Sequence, residues 1–268
     1  MYKFLRKGAL WFLGIHLFLN AGIVLADAHT ATQSVIAPSG TLLVGVYRGS
    51  PSSIIEGATT EENRGVGHDL GKQFAADLGV PFRAVIFPNN AGLLDALKKG
   101  EVDFSVTNAT AARKKIMDFS PTIMDVEKSF LVGPDSDFKS LEDITRSDAV
   151  VGVSKGSSTA KTLTDLFPKL QIREIGTLKI ASDMLKNYDI DAFATNNAIL
   201  YEMSDAIPGA RILPGHWDME HFAAGIPKGR RQGLPALQKF VNDAQGDGRI
   251  AKAIERAGLR GTLAPNSQ

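Results

Sequence analysis

The 268-residue sequence predicts an α/β protein of two small lobes, each a small sheet flanked by helices, joined by two extended crossings. Three observations carry that expectation. Strand-like runs alternate with helical periods along the chain, the pattern of βαβ units. The chain repeats itself: "LLVGVYRGSPS" (42–52) returns as "AVVGVSKGSST" (149–159), and "LKKGEVDFSVTN" (97–108) returns as "LKNYDIDAFATN" (185–196), in the same order. Beyond an apolar N-terminal stretch, enough chain remains for two modest cores.

The first residues set the compartment. Lys3, Arg6 and Lys7 precede the apolar run "GALWFLGIHLFLNAGIVLA", and Ala26 to Ala28 supply small residues for a peptidase. This reads as a secretory signal peptide over 1–28, cut after Ala26 or Ala28, with a bacterial periplasm as destination. A retained anchor is the rival, disfavoured by polar His16 and Asn20 within the run. The absence of cysteine excludes a disulfide framework and a lipid carried on an N-terminal Cys. Of 30 Lys+Arg and 29 Asp+Glu, the leader takes three basic and one acidic residue, leaving 27 against 28. That balance points away from nucleic acid and anionic membrane surfaces as partners. Residues 29–38 read as a mobile leader.

In the first half, the strand "LLVGV" is followed by "GHDLGKQFAADLGV". Leu70, Phe74 and Leu78 fall four apart on one helix face, and Gly79 is the stop. "PFRAVIF" is a strand, "AGLLDALKKG" a short helix with Leu93, Leu94 and Leu97 inward, and "VDFSV" a strand. The second half repeats the plan, with a Ser-capped helix "SSTAKTLTDLF" and a second helix "LKIASDMLKNY", so a parallel sheet is expected in each half. The crossings fall at "EKSFLVG" (127–133) and "HFAAGIP" (221–227). The C-terminal segment is helical, with Leu237, Phe240 and Val241 on one face and then Ile250 and Ile254, and should pack on the first lobe. Lobe 1 then comprises 39–127 and 226–268, and lobe 2 comprises 128–225.

Ligands on open α/β sheets bind beyond the carboxyl ends of the strands. That rule gathers Tyr47 to Ser50, Asn108 to Arg113, Ser154 to Ser158 and Asn196 at a cleft between the lobes. Arg113 is the odd member. A helix expected to begin near Thr110 would carry it in the first turn, where the backbone already disfavours a cation. It is either an anion trap or a solvated member of the run Arg113-Lys114-Lys115.

The order of "GTLLVGV", "GHDLGKQFAADLGV", "LLDALKKGEVDFSVTNATAARKKIMDFSPTI", "VVGVSKGSS" and "DAFATN" resembles the bacterial family 3 extracellular solute-binding proteins. The likeness spans nearly the whole mature chain, and its most specific element is Thr110, Arg113, Asp118, Phe119 and Ser120. The resemblance implies a two-lobe periplasmic-binding-protein-like fold that closes on its ligand about two hinge strands. It implies a receptor of an ABC importer for polar amino acids, with a membrane permease as partner. It assigns the ligand's α-carboxylate to Arg113, assistance to Asn108 and Thr110, and further hydrogen bonds to Ser157 and Ser158. There are departures. Asn196 stands where the family often has an Asp for the ligand's ammonium. Tyr47 is the only aromatic residue in a loop that usually supplies a lid, and Thr122 follows Pro121 where Tyr is common. A small carboxylate without an ammonium therefore stands beside an amino acid as the expected ligand, and a monomer as the expected state.

Two enzymatic readings compete. "GVSKG" (152–156) fits the nucleophile elbow of α/β-hydrolases, but "GVYRG" occupies the same turn in the first half. A cyclohexadienyl dehydratase-like lyase on the same two-lobe plan would need an acid or base such as Asp69, Glu101 or His221. No cofactor is expected, and His29, His68, His216 and His221 lack metal-ligand spacing.

Overall fold

The structure, a computed structural model, describes residues 30–265; the signal peptide expected over 1–28 lies outside the described residues. Those residues open in a helical segment, 30–36 (α1), where a mobile leader was expected. The segment is docked. Ile36 is fully buried, its carbonyl accepts from Arg230 Nη1 at 2.9 Å, and Gln33 Nε2 donates to the Leu78 carbonyl at 2.5 Å. Gly233 makes room: a Cβ there would stand 2.5 Å from Ile36 Cγ1.

The first lobe follows the predicted order. β1 (Leu42–Tyr47) and β2 (Phe82–Phe87) pair in parallel through α2 (Val66–Asp77), which buries Leu70 and Phe74. Gly79, at φ +66°, stops that helix in the left-handed conformation most side chains avoid. α3 (Asn90–Lys99) is capped by Asn89, whose side chain accepts from Gly92 N, and ends at left-handed Gly100. β3 (Ser105–Asn108) completes the unit.

β4 (Met117–Val132) is the longest of the described elements at 16 residues, beginning well before the expected crossing. It pairs antiparallel with β9 (Asp218–Pro227) from Met117 to Lys128, then with β7 (Ala192–Asn196) from Lys128 to Val132. Lys128 is therefore where the strand changes partner. The second lobe adds α4 (Leu141–Thr145), β5 (Val150–Ser154), α5 (Thr159–Leu166), β6 (Gln171–Ile175), α6 (Leu178–Lys186), α7 (Asn197–Asp205) and β8 (Arg211–Ile212). β5 pairs in parallel with both β6 and β7. The parallel pairing expected in each half holds between β1 and β2 and among β5, β6 and β7, while the crossing strands β4 and β9 run antiparallel to each other and to β7 and β3 beside them.

α8 (Leu234–Gly246) and α9 (Arg249–Ala257) bring the chain back, and β10 (Thr262–Leu263) pairs with β4 at Val126 and Asp125. Leu237, Phe240 and Ile250 share one core with Val44, Phe74 and Phe104, and the rings of Phe74 and Phe240 lie 4.9 Å apart. Separate cores around Phe130, Val151 and Leu163 and around Leu131, Leu185 and Phe193 hold the second lobe. Two lobes, each with its own core, are bridged by β4 and β9. Among the described residues no helix is long and apolar enough to cross a membrane.

Candidate functional site

The carboxyl ends of β1, β3, β5, β6 and β7 converge on a cleft enclosing ≈ 40 Å³. The lobes stand closed over it. Asn90 Nδ2 donates to the Gly156 carbonyl at 2.9 Å, and Asn89 Nδ2 to the Gly176 carbonyl at 3.1 Å. Gly156 permits this approach, since a Cβ there would sit 2.8 Å from Ala91 Cβ.

Arg113 lines the cleft and is buried, while Lys114 and Lys115 beside it are exposed. The expected helix is a single 3-10 turn, Arg113–Lys115, too short to carry a macrodipole worth opposing. Local bonds place the side chain instead. Arg113 Nη1 donates to Thr107 Oγ1 at 2.5 Å and to the Asn108 carbonyl at 3.3 Å, and its backbone N–H donates to Thr110 Oγ1 at 3.2 Å. Burial pushes the guanidinium below its ordinary pKa; Glu220 and then Tyr47 push it back up. A guanidinium stays protonated at neutral pH under such a shift. Among the described residues Nε and Nη2 have no partner, which leaves donors in fork geometry for a carboxylate.

The other expected residues divide. Tyr47, Ser157 and Asn196 line the cleft with Arg113. Burial raises the Tyr47 phenol's pKa, so it stays a neutral donor, with Ser50 and Ser52 as hydrogen-bond neighbours. The hydroxyls of Ser157, Ser158 and Thr159 are buried with no partner among the described residues. Ser158 takes the N-cap position of α5 but makes no capping bond, contrary to the Ser-capped helix expected there. Asn108, Thr110 and Ser158 are not on the wall. Successive strand residues face opposite ways, so Thr107 faces the cleft while Asn108 Oδ1 accepts from His221 N at 3.1 Å. Asn196 is engaged at both ends: Oδ1 accepts from Ile199 N at 3.2 Å, capping α7, and Nδ2 donates to Glu220 Oε2 at 2.8 Å.

Glu220 was not anticipated. It comes from β9, is 7% exposed, and lines the cleft beside Phe222. Its other oxygen, Oε1, lies 3.7 Å from the ammonium of Lys128, which is 1% exposed, also reaches Asp218 at 3.2 Å and stands 5.0 Å from the centre of the Trp217 ring. The one sequence signal is a pair of charges, Lys128 and Glu220, inside strand runs otherwise fit for burial.

Asp69, Glu101 and His221, the acids and bases considered for a lyase, all lie off the cleft wall. Asp69 ties α9 to α2 through Arg256 at 2.6 Å, Glu101 is exposed, and His221 Nδ1 pairs with Asp125 Oδ1 at 2.7 Å. Ser154 does line the cleft, but among the described residues no histidine does. Among the described residues no cluster of three or more His, Cys, Asp or Glu could hold a metal ion.

Comparison with known proteins agrees with this fold. The family model of bacterial extracellular solute-binding proteins, family 3, matches residues 42–258. The ABC transporter glutamine-binding protein GlnH of Bacillus subtilis (strain 168) is 25% identical over 229 residues, 84% of each chain. A glutamine-binding protein of Geobacillus stearothermophilus is 27% identical over 209 residues, covering 75% of this chain and 78% of its own. Among solved structures, an ancestral arginine-binding protein bound to glutamine superposes with a TM-score of 0.71 at 26% identity, over 83% of this chain and 98% of that one.

Proposed function

The chain belongs to the bacterial extracellular solute-binding proteins of family 3, and from that premise we propose that it is a periplasmic receptor of an ABC importer, capturing a small carboxylate-bearing solute of the amino acid type. One observation carries the reading. A buried arginine, held on its inner edge by Thr107 and Asn108, presents free donors to a cleft that both lobes close. A surface arginine needs no such cradle, and open donors on a buried guanidinium are costly until an acceptor fills them.

Arg113 takes the carboxylate from lobe 1, and the partnerless hydroxyl of Ser157 on the cleft wall supplies a hydrogen bond from lobe 2, with Ser158 behind it at the start of α5. The first lobe, 39–127 with 226–268, and the second, 128–225, rotate about β4 and β9. Solute stabilises the closed form because only that form offers both halves of its site. The closed receptor, acting as a monomer, is what a membrane permease selects. Thermal-shift screening of the mature protein against amino acids and organic acids tests this. A bound solute at a hundredfold excess over its Kd adds roughly 2.7 kcal/mol of stability. No shift from any carboxylate, with sugars or cations stabilising instead, would remove the proposal.

A further inference from the structure

Away from the hinge, the cleft wall turns apolar and draws close. β2 and β6 lie at the outer edges of their sheets, far from the crossing strands, and Pro88, Ile175 and Leu178 reach the cleft beyond their ends. Ile175 has no room to retreat. It is buried in the core around Phe193, and its Cδ1 already lies 2.7 Å from where a Cβ on Gly152 would stand. Leu178 opens α6 and spans to the first lobe, where a Cβ on Gly49 would stand 3.2 Å from its Cδ1. The space left between clamp and leucine is small: the cleft encloses ≈ 40 Å³, about three to four water-sized positions.

Polar groups on this outer side are already engaged. Arg48 is bound to Glu56, and Thr177 Oγ1 accepts from Ile180 N. Asn89 uses both ends of its amide, on Gly92 N and on the Gly176 carbonyl. An amide or guanidinium on a longer solute would lose its water there without gaining a partner. Parting the lobes to make room has its own cost, because the bonds from Asn89 and Asn90 across the cleft span only the closed distance.

Resting on the receptor reading and its Arg113 clamp, we propose that Leu178, backed by Ile175, is a size gate. The solute it admits is a carboxylate of alanine size, with a side chain no longer than methyl, hydroxymethyl or thiomethyl. The gate comes from the second lobe, so size is read at closure. A short solute lets Leu178 reach Gly49, whereas a longer one either displaces the leucine or holds the lobes apart and forfeits the Asn89 and Asn90 bonds.

The test titrates carboxylates graded by size into the parent, Leu178→Ala and Arg113→Ala. Glycine, L-alanine, L-serine, L-glutamine and L-arginine form one series; acetate, propionate and glutaramate form another. Alanine suits the first position of α6, and circular dichroism with unliganded melting confirms the variant's fold. In whichever series the parent binds, the short members should bind roughly tenfold or more tighter than the long ones, the discrimination a filled apolar pocket gives against an extra methylene. Leu178→Ala should shift the ratio of long to short by roughly tenfold toward L-glutamine or glutaramate. Weaker closure in that variant costs both sizes alike and leaves the ratio readable. A parent that binds L-glutamine or L-arginine best overturns the gate, while the clamp stands if Arg113→Ala still abolishes binding. An unchanged ratio in folded Leu178→Ala overturns the gate as well. If no carboxylate of either series binds the parent, the receptor reading falls and the gate falls with it.

Discussion

Asn90→Ala isolates closure from everything else in the molecule. Asn90 and Asn89 each donate one side-chain hydrogen bond across the cleft, to Gly156 and Gly176. Asn89 also caps α3, so its loss would mix closure with helix stability. Asn90 sits at the first position of α3, where alanine is a good helix former, and its bond to Gly156 exists only when the lobes meet. A hydrogen bond of this kind contributes a net of about 0.5–1.5 kcal/mol. Closure and capture share one free energy, so Kd for the screened solute should rise about two- to thirteenfold. Stopped-flow dissociation should quicken by a similar factor, and the unliganded melting temperature should not move. A parent-like Kd and off-rate would refute the reasoning. So would an unliganded Tm that falls as far as the liganded one, since the bond would then belong to the resting lobes.

Thr107→Val removes the hydroxyl that holds Arg113 Nη1; a hydrogen bond to a charged group is worth about 1.5–3 kcal/mol, so calorimetry should show roughly tenfold or more weaker solute binding. Phe240→Ala empties a core position against Phe74 and should cost about 3–5 kcal/mol in urea unfolding, while solute affinity, read on the protein that remains folded, stays near the parent value. Ser154 should resist fluorophosphonate probes, because no histidine among the described residues lines the cleft to activate it; labelling lost in Ser154→Ala would revive the hydrolase.

The scaffold was legible where local rules are strong. Leu70 and Phe74 at helical spacing, closed by Gly79, define α2, and the repeat correctly placed β1 and β5 at matching turns. Arg113 was legible through its neighbours, although the helix invoked to explain it is one 3-10 turn. What stayed hidden depends on contacts distant in sequence. Whether Thr107 or Asn108 faces the cleft is a question of strand phase, which adjacent polar residues do not reveal. Glu220 reaches Asn196 only because β4 lies between β7 and β9 and sets both registers at Lys128. Leader residues 29–38 look polar and mobile in isolation, yet Ile36 fits the space that Gly233 leaves open.

The central claim is that a solute carboxylate binds Arg113 inside the closed cleft. Calorimetric titration of the parent and Arg113→Ala, with the solute that most raises the parent's melting temperature, tests it most directly. Truncating one partner of a buried, hydrogen-bonded charge pair costs on the order of 2–5 kcal/mol, so the variant should bind at least roughly thirtyfold more weakly. Arg113→Lys should recover only part of the loss, because a point charge cannot reproduce the fork. An Arg113→Ala protein that folds normally and binds the same solute with the parent's Kd would contradict the account.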